Sequence, residues 1–277
     1  MNCTGAGSPA VVIENGGGSF SVEWALGQSP ISKRTRICTY DRAGYAWSDR
    51  GPAVDTIEQI MDDLNLLLRT ARVQPPYILV GASLGCIYAR AWQRRFPERV
   101  AGLVFVDGTH DEGITLPVGE HRKPIAALSA EELPSAYNEY VRLAPKPQAG
   151  PADAPPLDRL SPADRLARHW ALKKILSEVG LLPKGLTAAE SWRQEFTALR
   201  KQRLAQDHPL GDLPLVVLER SEGVDENWHA KQLQLARLST AGRLIKADHS
   251  GHMIHLYRPD LVVEAIQHVI AESQRRN

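Results

Sequence analysis

The stretch Tyr77-Ile78-Leu79-Val80-Gly81-Ala82-Ser83-Leu84-Gly85 sets the architecture of the chain. Four residues suited to a strand run straight into Gly-x-Ser-x-Gly, and a helical pattern follows from just after Ser83 to about Arg95, closed by Pro97. A serine on so sharp a strand-to-helix turn sits in a strained backbone conformation. Glycines two residues to either side let the neighbouring backbone pack without Cβ clashes. The turn lifts the Ser83 hydroxyl above the sheet edge at a helix N-terminus and leaves the Leu84 N–H to face a developing oxyanion. The competing reading is a Gly-rich turn with an incidental capping serine. The strand before it and the helix after it count against that reading.

Working outward, residues 77–80 follow the helix-breaking pair Pro75-Pro76, and residues 10–13, 36–40 and 100–106 are further strand candidates. The last is almost continuously apolar, as a strand buried on both faces is. Between them, residues 56–71 put Ile57, Ile60, Leu64, Leu67 and Leu68 on one stripe, with acids early and Arg69 and Arg72 late, the order the helix dipole favours. This alternation predicts an α/β fold, with a mostly parallel central sheet flanked by helices. From about residue 108 to 212 strand signals vanish and proline and charge rise. Helical patterns remain near residues 130–143, 162–179 and 188–206, and the Pro/Ala-rich residues 144–156 read as a linker among them. The sheet pattern returns at residues 213–218 and 243–247, with helices at 228–238 and 259–272. An insert this long is no ordinary loop. It is expected to be a helical cap over the sheet's C-terminal edge, where open α/β sheets bind ligands. Residues 1–110 with 211–277 would form the core and residues 111–210 the cap.

Composition excludes several classes. The 33 basic and 32 acidic residues nearly cancel, so no global field draws the chain to nucleic acid or anionic lipid. A hydrophobic share of 43% rules out disorder of the whole chain. No apolar run approaches the roughly 20 residues of a membrane span. The start, MNCTGAGSPA, does not read as a signal peptide. Cys3, Cys38 and Cys86 have no metal-ligand spacing and leave one unpaired whatever the pairing, so a cytoplasmic location is expected and no metal site. Cys86, one turn after Ser83, reads as helix packing rather than as a nucleophile. The basic residues 90–95 read as a solvated helix face.

Two further pieces complete a candidate site. The loop Asn15-Gly16-Gly17-Gly18-Ser19 can turn an amide toward a pocket, with Gly17 the favoured second oxyanion donor. It lacks the Gly-x-x-x-x-Gly-Lys spacing of a phosphate cradle. A serine needs a base, and His252, in Asp248-His249-Ser250-Gly251-His252-Met253-Ile254-His255, follows the last short strand. His249, very close to the strand end, and His255, placed to start a helix, are its rivals.

The motifs resemble those of α/β-hydrolase-fold serine hydrolases of the single-domain bacterial kind with a helical cap. Thr39-Tyr40-Asp41-Arg42-Ala43-Gly44-Tyr45-Ala46-Trp47-Ser48-Asp49 is similar to that family's YDRxGxGxSD stretch. Phe96-Pro97-Glu98-Arg99-Val100 leading to Asp107 resembles its sixth-strand segment, and Ser250-Gly251-His252 with Arg258-Pro259-Asp260 its terminal signature. The resemblance covers roughly residues 3–112 and 210–272. Ala82, Cys86 and Asn15 depart from the usual residues, and the chain begins at what looks like the end of the family's second strand, so its first hairpin is expected to be missing.

The resemblance implies Ser83 as nucleophile, His252 as base, and the amides of Leu84 and Gly17 as the oxyanion hole. The acid that orients His252 is open between Asp225, where the family commonly carries it, and Asp107, at an alternative position used in several branches; Glu222 is a third candidate. The implied activity is carboxylic ester hydrolysis through an acyl-enzyme, on a small-molecule ester or acyl substrate, without cofactor or metal. A proline-iminopeptidase-like or amide hydrolase is the alternative enzyme. It calls for cap acids, from Glu131, Glu132, Glu178 and Glu190, turned into the pocket to grip an amine. A non-catalytic ligand-binding protein on the same scaffold is the alternative of another class.

Overall fold

A computed structural model describes residues 1–51, 56–144, 150–178 and 185–276. Its strands are β1 (Asn2–Thr4), β2 (Ala10–Glu14), β3 (Ile37–Thr39), β4 (Tyr77–Ala82), β5 (Val100–Val106), β6 (Thr115–Val118), β7 (His121–Pro124), β8 (Leu215–Arg220) and β9 (Gly242–Ala247). Seven of them form one sheet in the order β1-β3-β2-β4-β5-β8-β9, parallel except for β1, which runs antiparallel to β3. This is the mostly parallel sheet expected. The crossovers of a parallel sheet are helices, which cover both faces. The α-helices among the described residues, crossovers and others, are α1 (Ala25–Ser32), α2 (Ile57–Thr70), α3 (Gly85–Arg95), α4 (Leu133–Leu143), α5 (Pro162–Glu178), α6 (Gly185–Ala205), α7 (Glu226–Ala236), α8 (Ile254–Tyr257) and α9 (Pro259–Arg275).

The two-residue period of a strand divides the core. Ile78, Val80, Val104 and Val106 point to one face and pack with Val262, Ile266 and Val269 of α9. Leu79, Leu103 and Phe105 point to the other, against Leu64 and Leu68 of α2 and Ile87 and Trp92 of α3. Each such side chain, fully buried, contributes roughly 1.5–3 kcal/mol. Thr56 starts α2 as expected, its hydroxyl accepting the Gln59 N–H at 3.1 Å.

Three local features differ from the sequence reading. Helix α1 lies where the sequence reading placed no element, in a segment that holds Gly27, Ser29 and Pro30. It forms because Gly27 and Ile31 are buried and the helix lies against α9, with Gly27 facing Val263. Within the insert, where no strand was expected, β6 and β7 pair as an antiparallel hairpin. Pro117, Pro124 and three consecutive polar residues hide the strand pattern, and an isolated two-stranded ribbon tolerates them because each strand is an edge. Finally, β1 places Cys3 opposite Cys38, and the two form a disulfide, while Cys86 is free and buried. The cysteines expected to be reduced are therefore paired across the sheet edge.

The inserted region carries the hairpin, α4, α5 and α6. The expected linker at 144–156 lies partly outside the described residues, as does the end of the helix expected at 162–179. The insert is fastened to the core by buried ion pairs. Asp111, fully buried, accepts from Arg90 of α3 at 3.1 Å and from Arg203 of α6 at 2.9 Å. Arg168 of α5 reaches the buried Glu23 at 2.7 Å. Among the described residues no helix is long and apolar enough to cross a membrane.

Candidate active site

Strand β4 ends at Ala82 and α3 begins at Gly85, which leaves Ser83 on the turn with φ of +51°. That left-handed conformation is costly for a residue with a Cβ, and the surroundings enforce it. The Ser83 N–H donates to the Val106 carbonyl at 3.0 Å, and its carbonyl accepts from Thr109 at 2.9 Å and Cys86 at 3.0 Å. The glycines are sterically required. A Cβ on Gly81 would lie 2.7 Å from the Cys86 backbone, and one on Gly85 2.0 Å from the Glu14 carbonyl oxygen. With its backbone groups engaged, Ser83 is half-buried and presents its hydroxyl at the carboxyl edge of the sheet.

Leu84 immediately precedes α3, so its N–H is among those a helix start leaves unpaired by the helix itself. The loop after β2 comes up beside it: a Cβ on Gly16 would lie 3.1 Å from the Ser83 Cβ, and Gly17 faces the Leu84 side chain. Arg42 holds this loop in shape. Its two terminal nitrogens donate to the carbonyls of Asn15, at 2.6 Å, and Gly16, at 2.7 Å, and its guanidinium lies 4.9 Å from the ring centres of both Tyr45 and Tyr88. Because a trans peptide is planar, with C=O and N–H on opposite sides, pinning the Gly16 carbonyl toward Arg42 turns the Gly17 N–H the other way. Asn15 is braced by the Trp24 indole, which donates at 2.8 Å, and donates in turn to the Tyr40 carbonyl at 3.0 Å. Below the loop, Glu14 is fully buried and accepts the Tyr40 hydroxyl at 2.6 Å. Burial pushes its carboxyl up to about 7, against the opposing pull of Arg42 and Tyr40.

The register Ala82↔Val106 puts Asp107, at the end of β5, beside Ser83. Asp107 also has a positive φ, +47°, and is fully buried. One of its carboxylate oxygens is hydrogen-bonded to His252 Nδ1 and accepts from the Arg220 guanidinium. The other accepts from the Trp228 indole at 3.1 Å and the Arg220 N–H at 3.3 Å. Arg220 stacks 4.1 Å from the Trp228 ring centre and donates to the carbonyls of Glu222 and Gly223. Asp225 does something else: it caps α7, accepting the Trp228 backbone N–H at 2.7 Å. The Glu222 backbone N–H donates to the Ser250 carbonyl, pinning the β8 loop to the segment before His252. Of the other histidines, His249 is exposed, and His255 is buried, stacked 4.8 Å from the Trp24 ring with Nε2 3.4 Å from Glu23. Cys86 is fully buried, and burial pushes its thiol up to about 12, which leaves no thiolate to react near neutral pH.

The sequence reading missed Arg220, Trp228 and Arg42. Arg42 stood inside a quoted motif, but its role depends on which carbonyls the fold brings to it. Arg220 is the second of two charged residues, after Glu219, that end the apolar run of β8, a signal equally typical of a strand's exposed end.

A cavity of about 380 Å³ opens from Ser83, Leu84 and Gly17. The inserted region supplies most of its wall, including Tyr137, Tyr140, Trp192 and Arg122. A hydroxyl beside two candidate amide donors, with a carboxylate-oriented imidazole at the same sheet edge, can carry out acyl transfer.

Comparison with known proteins agrees with this fold. The chain is 26% identical over 303 residues to a probable transporter, efuK, of Hormonema carpetanum; the match covers 98% of the chain but only 40% of that protein. It is 23% identical over 272 residues to the human (lyso)-N-acylphosphatidylethanolamine lipase, covering 95% of the chain and 79% of the lipase. Its fold is similar to that of a thermophilic esterase from Thermogutta terrifontis, with a TM-score of 0.60 at 20% identity, covering 98% of this chain and 92% of that one. Residues 9–259 match the family described as alpha/beta hydrolase fold, and the chain belongs to that family.

Proposed function

We propose that the protein is a serine hydrolase that cleaves a carboxylic ester, or a closely related acyl bond, through an acyl-enzyme. Ser83 attacks the carbonyl while His252 takes its proton. Asp107 holds the imidazole in the required tautomer and stabilises the imidazolium. The amides of Leu84 and Gly17 receive the oxyanion. Its collapse breaks the ester bond and releases the alcohol, which takes the proton from His252. Water then cleaves the acyl-serine by the same route, releasing the acid and restoring Ser83. The observation that carries this reading is the hydrogen bond from His252 to the buried Asp107, beside a serine held at positive φ. In this reading residues 111–210 act as a cap whose inner face selects the substrate, and residues 1–110 with 211–277 carry the chemistry.

The amine-gripping alternative finds little support. Glu132 is paired with Lys123 and Glu190 with Arg193, and no acid lines the cavity among the described residues. The Glu178 side chain lies outside them. The Cys3–Cys38 disulfide favours an oxidising compartment over the cytoplasm expected from sequence. The mass of protein alkylated in denaturant at harvest tests this, and three alkylated cysteines per chain would restore the cytoplasmic reading.

A fluorophosphonate probe tests the activity. One adduct per chain is expected on Ser83, with none on Ser83→Ala, and wild type but not the variant should hydrolyse a short p-nitrophenyl ester. A folded wild-type protein that takes no label is the result that favours a binding protein instead.

A further inference from the structure

Resting on that reading of the site, we propose that the substrate carries a carboxylate remote from its scissile bond, and that Arg122 recognises it. Arg122 is the one charged side chain among the described residues that line the cavity. It projects from β7 of the inserted hairpin, and Thr115 of β6 orients it. Arg122 Nε donates to the Thr115 hydroxyl at 3.0 Å, and a terminal nitrogen donates to the Thr115 carbonyl at 2.6 Å. Its guanidinium is therefore aimed before any ligand arrives, and it has a further terminal nitrogen that neither bond uses. A fork already fixed in direction loses less freedom on binding than a loose side chain does.

The charges around it make the residue unusual. Its neighbour Lys123 bonds Glu132 at 2.8 Å, and the inserted helices pair Arg142 with Glu139 at 2.5 Å, Arg193 with Glu190 at 2.6 Å and Arg203 with Asp111 at 2.9 Å. Arg122 has no carboxylate partner among the described residues. Both of its bonds go to neutral oxygens, which leave its charge uncompensated beside the aromatic wall of Tyr137, Tyr140 and Trp192. A ligand carboxylate would supply the missing charge, and carboxylate matches the planar geometry of a guanidinium. The substrate class is thus a half-ester of a dicarboxylic acid, or an ester whose alcohol bears a carboxylate. Its reactive carbonyl would sit at Ser83 and its anionic end at the hairpin.

Binding to the Ser83→Ala protein, which needs no turnover, tests this apart from the esterase reading. The ligands are monomethyl esters of linear dicarboxylic acids in a graded series of lengths, each compared with its dimethyl ester by calorimetry at low salt. A charge-assisted contact at a partly exposed rim is expected to favour at least one monoester by about tenfold, with the preference shrinking as salt is raised. In Ser83→Ala/Arg122→Gln that ratio should fall to near one, and Arg122→Lys should recover only part of it. Equal binding of monoester and diester at every length overturns the inference, and so does a preference that survives Arg122→Gln. Turnover of neutral esters without that preference refutes Arg122 recognition alone; a monoester preference in a protein whose Ser83 takes no label refutes ester hydrolysis alone.

Discussion

Replacing Asp107 with asparagine separates the two aspartates that the sequence leaves in competition. Asp107 takes four donors: His252 Nδ1, the Arg220 guanidinium, the Arg220 N–H and the Trp228 indole. An asparagine has one acceptor oxygen and an amide that can only donate. Whichever way it turns, either the imidazole loses its acceptor and its tautomer, or Arg220 loses its counter-charge. Loss of the tautomer in a serine triad costs about 10⁴-fold in kcat. Breaking one partner of a buried ion pair costs about 3–5 kcal/mol of stability, although the partial exposure of Arg220 lowers that figure. Asp225→Asn keeps a good N-cap residue at the start of α7 and should change stability by a few tenths of a kcal/mol at most. The assay is steady-state hydrolysis of a p-nitrophenyl ester, normalised to active sites and read beside a thermal melt. Asp107→Asn is expected to lose about 10³–10⁴-fold in kcat while still melting cooperatively, with Asp225→Asn near wild type. A folded Asp107→Asn within tenfold of wild type, or an Asp225→Asn that loses more, refutes the assignment.

Other expectations concern the parts that support the site. Arg42→Lys cannot span the carbonyls of Asn15 and Gly16, so kcat/KM should fall by about 10²-fold, the scale of one lost oxyanion donor. Affinity for a boronic acid that mimics the tetrahedral state should fall with it, and unchanged boronate affinity would remove Arg42 from the proposed oxyanion site. Glu14 has its carboxyl raised from 4.5 to about 7 in the folded chain, so the native state keeps a proton that the unfolded chain releases. The stability this contributes is complete below about pH 4.5 and is lost as pH rises through about 7, a change of about 3 kcal/mol. Glu14→Gln should flatten that decline in urea unfolding followed from acid to neutral pH, and a wild-type slope in the variant argues against it. The disulfide closes a separation of 35 residues, so Cys3→Ser should lower stability by about 3–4 kcal/mol in the chain-entropy account. Urea unfolding with and without reductant measures this, and indifference to reductant would contradict it.

How much of this was readable beforehand depends on how local each determinant is. The turn around Ser83 is a nine-residue affair of glycine sterics and strand-helix boundaries, so it is visible in a short window. The buried strands are visible too, because a strand covered on both faces must be apolar throughout. The acid was not decidable, since Asp107 and Asp225 both stand just past a strand end. Which of them meets His252 depends on the order of β5 and β8 in the sheet and on α7 claiming Asp225 as its cap. The disulfide escaped for a similar reason: it depends on a three-residue edge strand finding β3 in one register. Helix α1 and the β6–β7 hairpin contradict their local propensities, one rescued by packing on α9 and the other by being an isolated ribbon.

The missing side chain at Gly85 has a consequence for how such a protein diversifies. A Cβ there would collide with the Glu14 carbonyl, so the serine turn and the loop after β2 amount to a single block of masonry. Neither can be nudged without the other, so gradual exploration of new chemistry in that half of the molecule is closed off. The insert meets the core through side chains, in ion pairs and in apolar packing of residues such as Trp192 and Phe196, so its inner face is the part that substitution can reshape without moving that backbone. Ancestry would then be written in the core, and diet in the insert.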